Sequence, residues 1–339
     1  MLPFIDLARY PLIRITGCEE TLRIDSQSHH SLRGDHHIIL GLWPIAGVTT
    51  VGVTQSDAEA TIGAAIEMGI TCFDTAFSYG YGGESDRLLG KTIRGDRDRF
   101  SVIGKVCQRW DGNHGRVIDG SPKTLIADAE TSLRRIETDH FDLLMLHCPD
   151  PNVPIEQSAA AIASLRDRGL CTQVGLCNAD PAQRQAFSSE VRCDAVQCPL
   201  NLMQRQSLDS LIPDCVAADC EVHVYWTLMK GLLGGRISRD HQFPDGDSRP
   251  RYEIYQGDAR RRAHDVLDRL QRVAEQSALT IAQLSIGWAL SQTGVTAALV
   301  GARRPEQIIE TAGSTPLDIE VVKQIDAIVE QVDRDQLDR

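Results

Sequence analysis

The chain has no CxxC pair, although it carries 10 cysteines. Zinc ribbons and dithiol redox motifs depend on that spacing, so neither is indicated. The cysteines are scattered and several sit inside apolar runs. That pattern fits buried free thiols in a reducing compartment better than a disulfide framework. No apolar stretch is long enough to span a bilayer and no signal-peptide architecture is present, so the expected location is cytoplasmic with no membrane partner. An excess of positive charge is also missing: 35 Lys and Arg stand against 47 Asp and Glu, a net of −12. This balance argues against nucleic acid or an anionic membrane as the main partner, while leaving room for a local basic anion pocket. Finally, no GxGxxG follows the first strand-like run. The glycines at 80–83 lack both its spacing and its third member, which counts against a doubly wound dinucleotide fold.

What the sequence does contain is alternation. Short apolar runs rich in β-branched residues occur at 37–43, 69–76, 100–107, 141–148, 171–177, 193–199, 221–228 and 295–302. Between them lie segments with apolar spacings of three and four, such as "PIEQSAAAIASLRDRG", which opens on Pro154 and closes on Gly169. Eight continuous apolar strands alternating with helices imply a parallel sheet buried on both faces. Their count and the chain length predict an α/β protein, a (β/α)8 TIM barrel over 37–333, with an N-terminal extension or cap at 1–36 and a long polar loop at about 234–262. The histidines of "SHHSLRGDHH" have no cysteine or carboxylate at ligand spacing and read as a solvated segment, so no metal is expected.

In such a barrel, chemistry gathers where the strands end. Those ends bear Asp74 and Tyr79 in "TCFDTAFSYG", Lys105 on the third strand and His147 on the fourth. A free phenol is a poor proton donor near neutrality; an adjacent ammonium stabilises phenolate and is expected to lower the phenol's pKa. An aspartate keeps that ammonium charged, and a histidine can hold a substrate oxygen. The set suits protonation of an alkoxide as hydride reaches a carbonyl.

These motifs resemble those of the aldo-keto reductases: "FDTAFSYG" carries the family's Asp and Tyr, "IGKV" its Lys, and "LLMLHCPDPNVPIEQ" its His. The resemblance runs from about Gly41 to residue 331. It implies a catalytic tetrad of Asp74, Tyr79, Lys105 and His147, with Tyr79 as general acid. The implied cofactor is NADPH rather than NADH, extended across the barrel mouth. By the same resemblance Trp43 and Asp74 lie on the cofactor side, while Asn178 and Gln197 hold the nicotinamide amide, with Cys177 where serine is usual. Tyr225 is the implied stacking aromatic, and Leu228 and Gly231 belong to the pyrophosphate loop, with Thr227 where many relatives have proline. "GARRPEQIIET" supplies Gly301, Arg303, Gln307 and Glu310 for the adenosine phosphate, with Thr311 in place of a common asparagine. Arg249 matches a further phosphate contact. Trp43, Phe77 and Trp110 are the candidate walls of an apolar substrate pocket.

Three activities compete on this reading. The first is reduction of small aldehydes, ketones or sugars, and its close variant is an aldose or alcohol dehydrogenase using the same residues. The second is a cofactor-sensing regulatory protein, since "HCPDPN" also resembles the potassium-channel β subunits; their asparagine at the position of His147 is absent here. The third, a metal-dependent barrel hydrolase, lacks the HxH such sites require. The partner expected is a small-molecule carbonyl compound; the sequence is silent on oligomeric state.

Overall fold

The computed structural model describes residues 37–48 and 50–337; the expected extension at 1–36 lies outside them. The strands are β1 (Ile38–Gly41), β2 (Cys72–Asp74), β3 (Ser101–Val106), β4 (Gln108–Trp110), β5 (Arg116–Ile118), β6 (Phe141–Leu146), β7 (Cys171–Cys177), β8 (Ala195–Pro199), β9 (Glu221–Tyr225) and β10 (Ala297–Gly301). Eight close a barrel in the order β1-β10-β9-β8-β7-β6-β3-β2, and all of its pairings are parallel. Each expected apolar run supplies one barrel strand, so the (β/α)8 expectation is met. The other two strands, β4 and β5, form an antiparallel hairpin that the sequence reading did not anticipate. With three residues each and charged positions interleaved, they are too short to show a period.

The helices are α1 (Gln55–Glu67), α2 (Glu84–Ile93), α3 (Pro122–Ile136), α4 (Ile155–Asp167), α5 (Pro181–Glu190), α6 (Leu211–Ala217), α7 (Gly257–Ser277), α8 (Ile281–Leu290), α9 (Pro305–Thr311) and α10 (Ile319–Leu337). Local chemistry marks several of their ends. Thr54, Asp180 and Thr280 each close a capping box with the residue three positions on, satisfying backbone N–H groups that the first turn leaves free. The long polar loop is shorter than expected. Short 3-10 turns occupy 249–251 and 253–255, and α7 begins at Gly257, because Ala263, Val266, Leu267 and Leu270 already continue a buried helical stripe.

Two apolar clusters build the core. The larger fills the layer between strands and helices, from Leu40 and Phe73 to Ile325 and Val332. The smaller fills the barrel lumen: Ile39, Cys72, Ile103, Leu143, Met145, Ala195, Ala297 and Leu299. Strand side chains alternate between faces, so the next inward residue beyond each lumen residue lies nearer the C-terminal rim. Counting two forward from Cys72, Ile103, Met145 and Ala195 reaches Asp74, Lys105, His147 and Gln197. The polar set is therefore the lid layer of an apolar lumen. Space in that lumen is tight at Gly175, where a Cβ would stand 2.4 Å from the Ala195 carbonyl oxygen and 2.8 Å from Met145 Cε.

Candidate active site

Asp74 and Lys105 are both about 1% exposed at the side chain and form a direct ion pair. Strand register brings them together: Asp74 pairs with Ile103, so Lys105 lies one pleat further along the neighbouring strand. The other Asp74 oxygen accepts a hydrogen bond from Gln197 Nε2 at 2.8 Å. Lys105 Nζ also donates to Tyr79 Oη at 3.2 Å and lies 5.0 Å from the centre of its ring. The loop after β2 carries Tyr79 back over the mouth, held by Phe77 N donating to the Lys105 carbonyl and Tyr79 N to the Ala76 carbonyl. The Tyr79 ring meets His147 edge-on at 5.8 Å and Trp43 at 5.1 Å. All four members of the expected tetrad thus meet in one layer at the mouth, with Asp74, Lys105 and His147 buried and Tyr79 half-buried.

Its electrostatics differ from the sequence expectation in one respect. Lys105 does act to lower the Tyr79 pKa, but burial is the larger influence and the phenol is pushed up to about 12. Tyr79 is a protonated phenol at neutral pH. Burial is the largest single influence on Lys105 and opposes the ammonium, yet the influences that favour the charge, led by the adjoining Asp74 carboxylate, together raise the lysine above its ordinary value. Burial, reinforced by Lys105 and then Arg116, holds the His147 imidazole well below its usual range, so it is neutral. Its Nδ1 has no partner among the described residues.

The remaining expected positions fall along the rim. Asn178, in the left-handed backbone region at φ 58°, donates to the His147 carbonyl at 2.8 Å and to Cys177 Sγ at 3.1 Å, and accepts from the Tyr225 hydroxyl. Gln197 reaches Asp74 rather than the rim. The loop after β9 has left-handed backbone at Met229, Lys230 and Gly231, and the Leu228 carbonyl accepts from Gly231 N and Leu233 N. Gly301 ends β10 against Pro44, and Gln307 Oε1 accepts from Arg303 N at 2.8 Å. Glu310 pairs with Arg236. Arg249 is gripped in bidentate fashion by Asp247 of its own loop, and Arg304 pairs with Asp57. Arg303 is half-buried and has no ion-pair partner within contact distance among the described residues. Burial, with the nearby Arg249 charge, lowers its pKa.

Of the candidate pocket walls, Trp43 and Trp110 flank one guanidinium, that of Arg116, at 5.6 and 5.2 Å. Phe77 lies elsewhere, with the guanidiniums of Arg135 and Arg109 4.6 and 5.6 Å from its ring. Sequence reasoning passed over two residues. Lys230 stacks over the Tyr252 and Trp226 rings with no acid partner among the described residues, and its place between the expected Leu228 and Gly231 was the available signal. Arg116 was the other; "NHGRV" reads as a turn and strand start only when a hairpin is sought.

A nicotinamide dinucleotide needs cations for its phosphates and an aromatic face for its ring. Lys230 and Arg303 are cations on the rim without an ion-pair partner among the described residues, and Tyr225 presents a half-buried ring at the mouth, so the donor set fits such a group. The nine described cysteines are all free and buried. Among the described residues no helix is long and apolar enough to cross a membrane.

Comparison with known proteins agrees with this geometry. The profile of the Aldo/keto reductase family matches residues 37–330. The aldo-keto reductase YhdN of Bacillus subtilis (strain 168) is 31% identical over 297 residues, covering 86% of this chain and 89% of its own length. The NADH-specific methylglyoxal reductase of Escherichia coli (strain K12) is 26% identical over 295 residues, covering 83% and 90%. Among solved structures, the glycerol dehydrogenase AKR11B4 from Gluconobacter oxydans superposes with a TM-score of 0.80 at 29% identity, covering 87% of this chain and 91% of the other. A closed parallel barrel, an Asp–Lys–Tyr–His layer at its mouth and a family match over nearly all of the described chain lead to one assignment: this protein is an oxidoreductase of the aldo-keto reductase family.

Proposed function

We propose that this protein reduces the carbonyl of small aldehydes, ketones or sugars with NADPH, and that Tyr79 is the proton donor. The observation that carries the reading is the Tyr79 phenol, kept protonated by burial yet hydrogen-bonded to a charged, buried ammonium. When bound, the reduced nicotinamide supplies the hydride. Tyr79 Oη delivers its proton to the substrate oxygen as negative charge gathers there. Lys105 then faces the nascent phenolate and lowers the cost of that charge, while Asp74 holds the ammonium in its charged form. Neutral His147 serves as a hydrogen-bonding partner for the oxygen and not as the acid. The apolar lumen beneath closes the site to water from below.

Arg303 supports NADPH over NADH. Asp247 neutralises Arg249 and Asp57 neutralises Arg304, which leaves Arg303 as the guanidinium available to a 2′-phosphate. Asn178, Tyr225, Leu228, Gly231, Gly301, Gln307 and Glu310 complete the proposed cofactor rim, with Gln197 acting beneath it through Asp74 and Arg249 contributing through its loop. The net charge of −12 supports a small-molecule partner over a nucleic-acid surface. A second reading is the reverse reaction, because a similar structure is that of a glycerol dehydrogenase.

The test is consumption of NADPH, with NADH in parallel, against a panel of aldehydes, ketones and sugars. Tyr79→Phe is expected to lose roughly 10²–10⁴-fold in turnover while still binding cofactor by fluorescence titration. Arg303→Ala is expected to weaken NADPH about tenfold and NADH little. Undiminished turnover in Tyr79→Phe would remove that residue from its role.

A further inference from the structure

The β4–β5 hairpin leaves the barrel directly after Lys105 and returns over the mouth. Trp110 and Arg116 are paired across it. Its turn is closed by Asp111, whose Oδ1 accepts from Asn113 N at 2.8 Å and Gly115 N at 2.7 Å. Trp110 is anchored through Nε1, which donates to the Ser78 carbonyl at 2.8 Å, one residue before Tyr79. The Arg116 guanidinium then lies between two rings, 5.2 Å from Trp110 and 5.6 Å from Trp43, and Trp43 in turn meets Tyr79. Arg116 therefore stands one ring away from the proposed proton donor, and its charge is felt at His147.

Stacking between aromatic faces positions a guanidinium but leaves its N–H fork unused. Among the described residues Arg116 has no hydrogen bond or ion pair, although the chain is acidic and carboxylates are close at hand. The carboxylates of the hairpin and its flanking loops have partners of their own: Asp111 in its own turn, Asp119 with Ser121 N and Thr124, and Asp150 with Gly120 N and Asn152 N. Arg116 is exposed, so water and not a protein acceptor takes up its N–H groups, and a charged guanidinium held in place by two rings near the mouth can exchange that water for a planar oxyanion.

We infer that Arg116 is a specificity residue, and that the preferred substrates are carbonyl compounds carrying a carboxylate, which Arg116 binds while the carbonyl faces Tyr79. The inference rests on the reductase reading above and narrows its substrate class. The Trp43 ring meets both the Arg116 guanidinium and the Tyr79 ring, so an apolar chain joining carboxylate and carbonyl would lie along an indole face.

The experiment compares matched pairs, 4-oxobutanoate with butanal and 4-carboxybenzaldehyde with 4-methylbenzaldehyde, in the wild type, Arg116→Met and Arg116→Lys. The quantity read is the ratio of kcat/KM for the charged over the neutral member. The wild type is expected to favour the charged member about tenfold or more, through KM and with a preference that shrinks as salt rises. Arg116→Met is expected to erase the preference, and Arg116→Lys to restore part of it, since it keeps the charge and loses the fork. Circular dichroism and cofactor titration establish that each variant is folded. Neutral aldehydes turned over with no preference for the charged member, or a preference that survives in Arg116→Met, would overturn the inference and leave the reductase reading standing. Absence of turnover with every aldehyde would overturn both.

Discussion

Replacing Asp74 with asparagine keeps the shape of the mouth and removes one charge. The consequence can be worked from the burial of its partner. Lys105 is about 1% exposed at the side chain, and burial is the largest influence on its ionisation, acting against the ammonium. Asp74 is what reverses the balance. The other groups that favour the charge, Tyr79 and Cys177, are both pushed up to about 12 and are protonated at neutral pH. In Asp74→Asn the buried lysine therefore folds as the neutral amine. Holding a lysine neutral at pH 7, when its unfolded value is ~10.4, spans about 3.4 pH units at ~1.36 kcal/mol each, or about 5 kcal/mol. Breaking a buried ion pair by removing one partner costs ~3–5 kcal/mol, which agrees.

The sign of the pH dependence separates this account from simple loss of a contact. In the wild type the folded-state value of Lys105 is raised, so its contribution is fully present at every pH below ~10.4 and the profile is flat from 7 to 10 on its account. In Asp74→Asn the folded state binds one proton fewer than the unfolded state, so the variant gains stability as pH rises. The difference between the two proteins should narrow by ~1.4 kcal/mol per pH unit between 7 and 10. Urea unfolding of both proteins at four pH values measures it, and other titrating groups cancel in the difference. A gap that stays constant across that range would show that Lys105 keeps its proton without Asp74, and the reasoning would be wrong.

His147→Gln should act at the other end of the scale. The folded wild type refuses a proton that the unfolded chain accepts below ~6.5, so wild-type stability drops on acidification. The variant, lacking that group, should gain on the wild type by ~1 kcal/mol between pH 6.5 and 5.5, read from urea midpoints. Gly90→Ala tests packing away from the site. Its Cβ would stand 2.2 Å from the Ile136 carbonyl oxygen, where α2 crosses α3. Backbone cannot yield as a side chain does, so a loss of ~1–3 kcal/mol is expected from thermal unfolding despite alanine's better helix propensity.

The barrel was legible because its signal is redundant. Eight apolar runs, each continuous since both faces are buried, repeat one unit, and an error in any single run would not change the count. The hairpin that carries Trp110 and Arg116 escaped for the opposite reason: two short strands, exposed in β5, show no hydrophobic period. That Asp74, Lys105 and His147 would gather at the mouth was legible by position, as polar residues at the ends of apolar strands, with Tyr79 in the loop that follows β2. Its electrostatic balance was not, because the contest between burial and Lys105 at Tyr79 depends on how deeply the phenol sits. Partners of the rim arginines were equally hidden. Arg249, Arg303 and Arg304 look alike in sequence, and only the approach of Asp247 and Asp57 tells the committed pair from the unpaired one. Phe77 shows the limit of reading a pocket from proximity in sequence. Two residues from Tyr79, its ring lies against Arg135 and Arg109.

The sequence by itself determined the number and order of the strands, the phase of their alternation, and so which residues stand at the mouth. Those are properties of a local period, and a period needs no partner to be read. Tertiary structure alone decided which charges meet, which are left over, and whether burial or a neighbouring ion governs each proton. These depend on distance and desolvation between residues 31 to 252 positions apart, from Asp74 and Lys105 to Arg304 and the Gly52 carbonyl that it reaches.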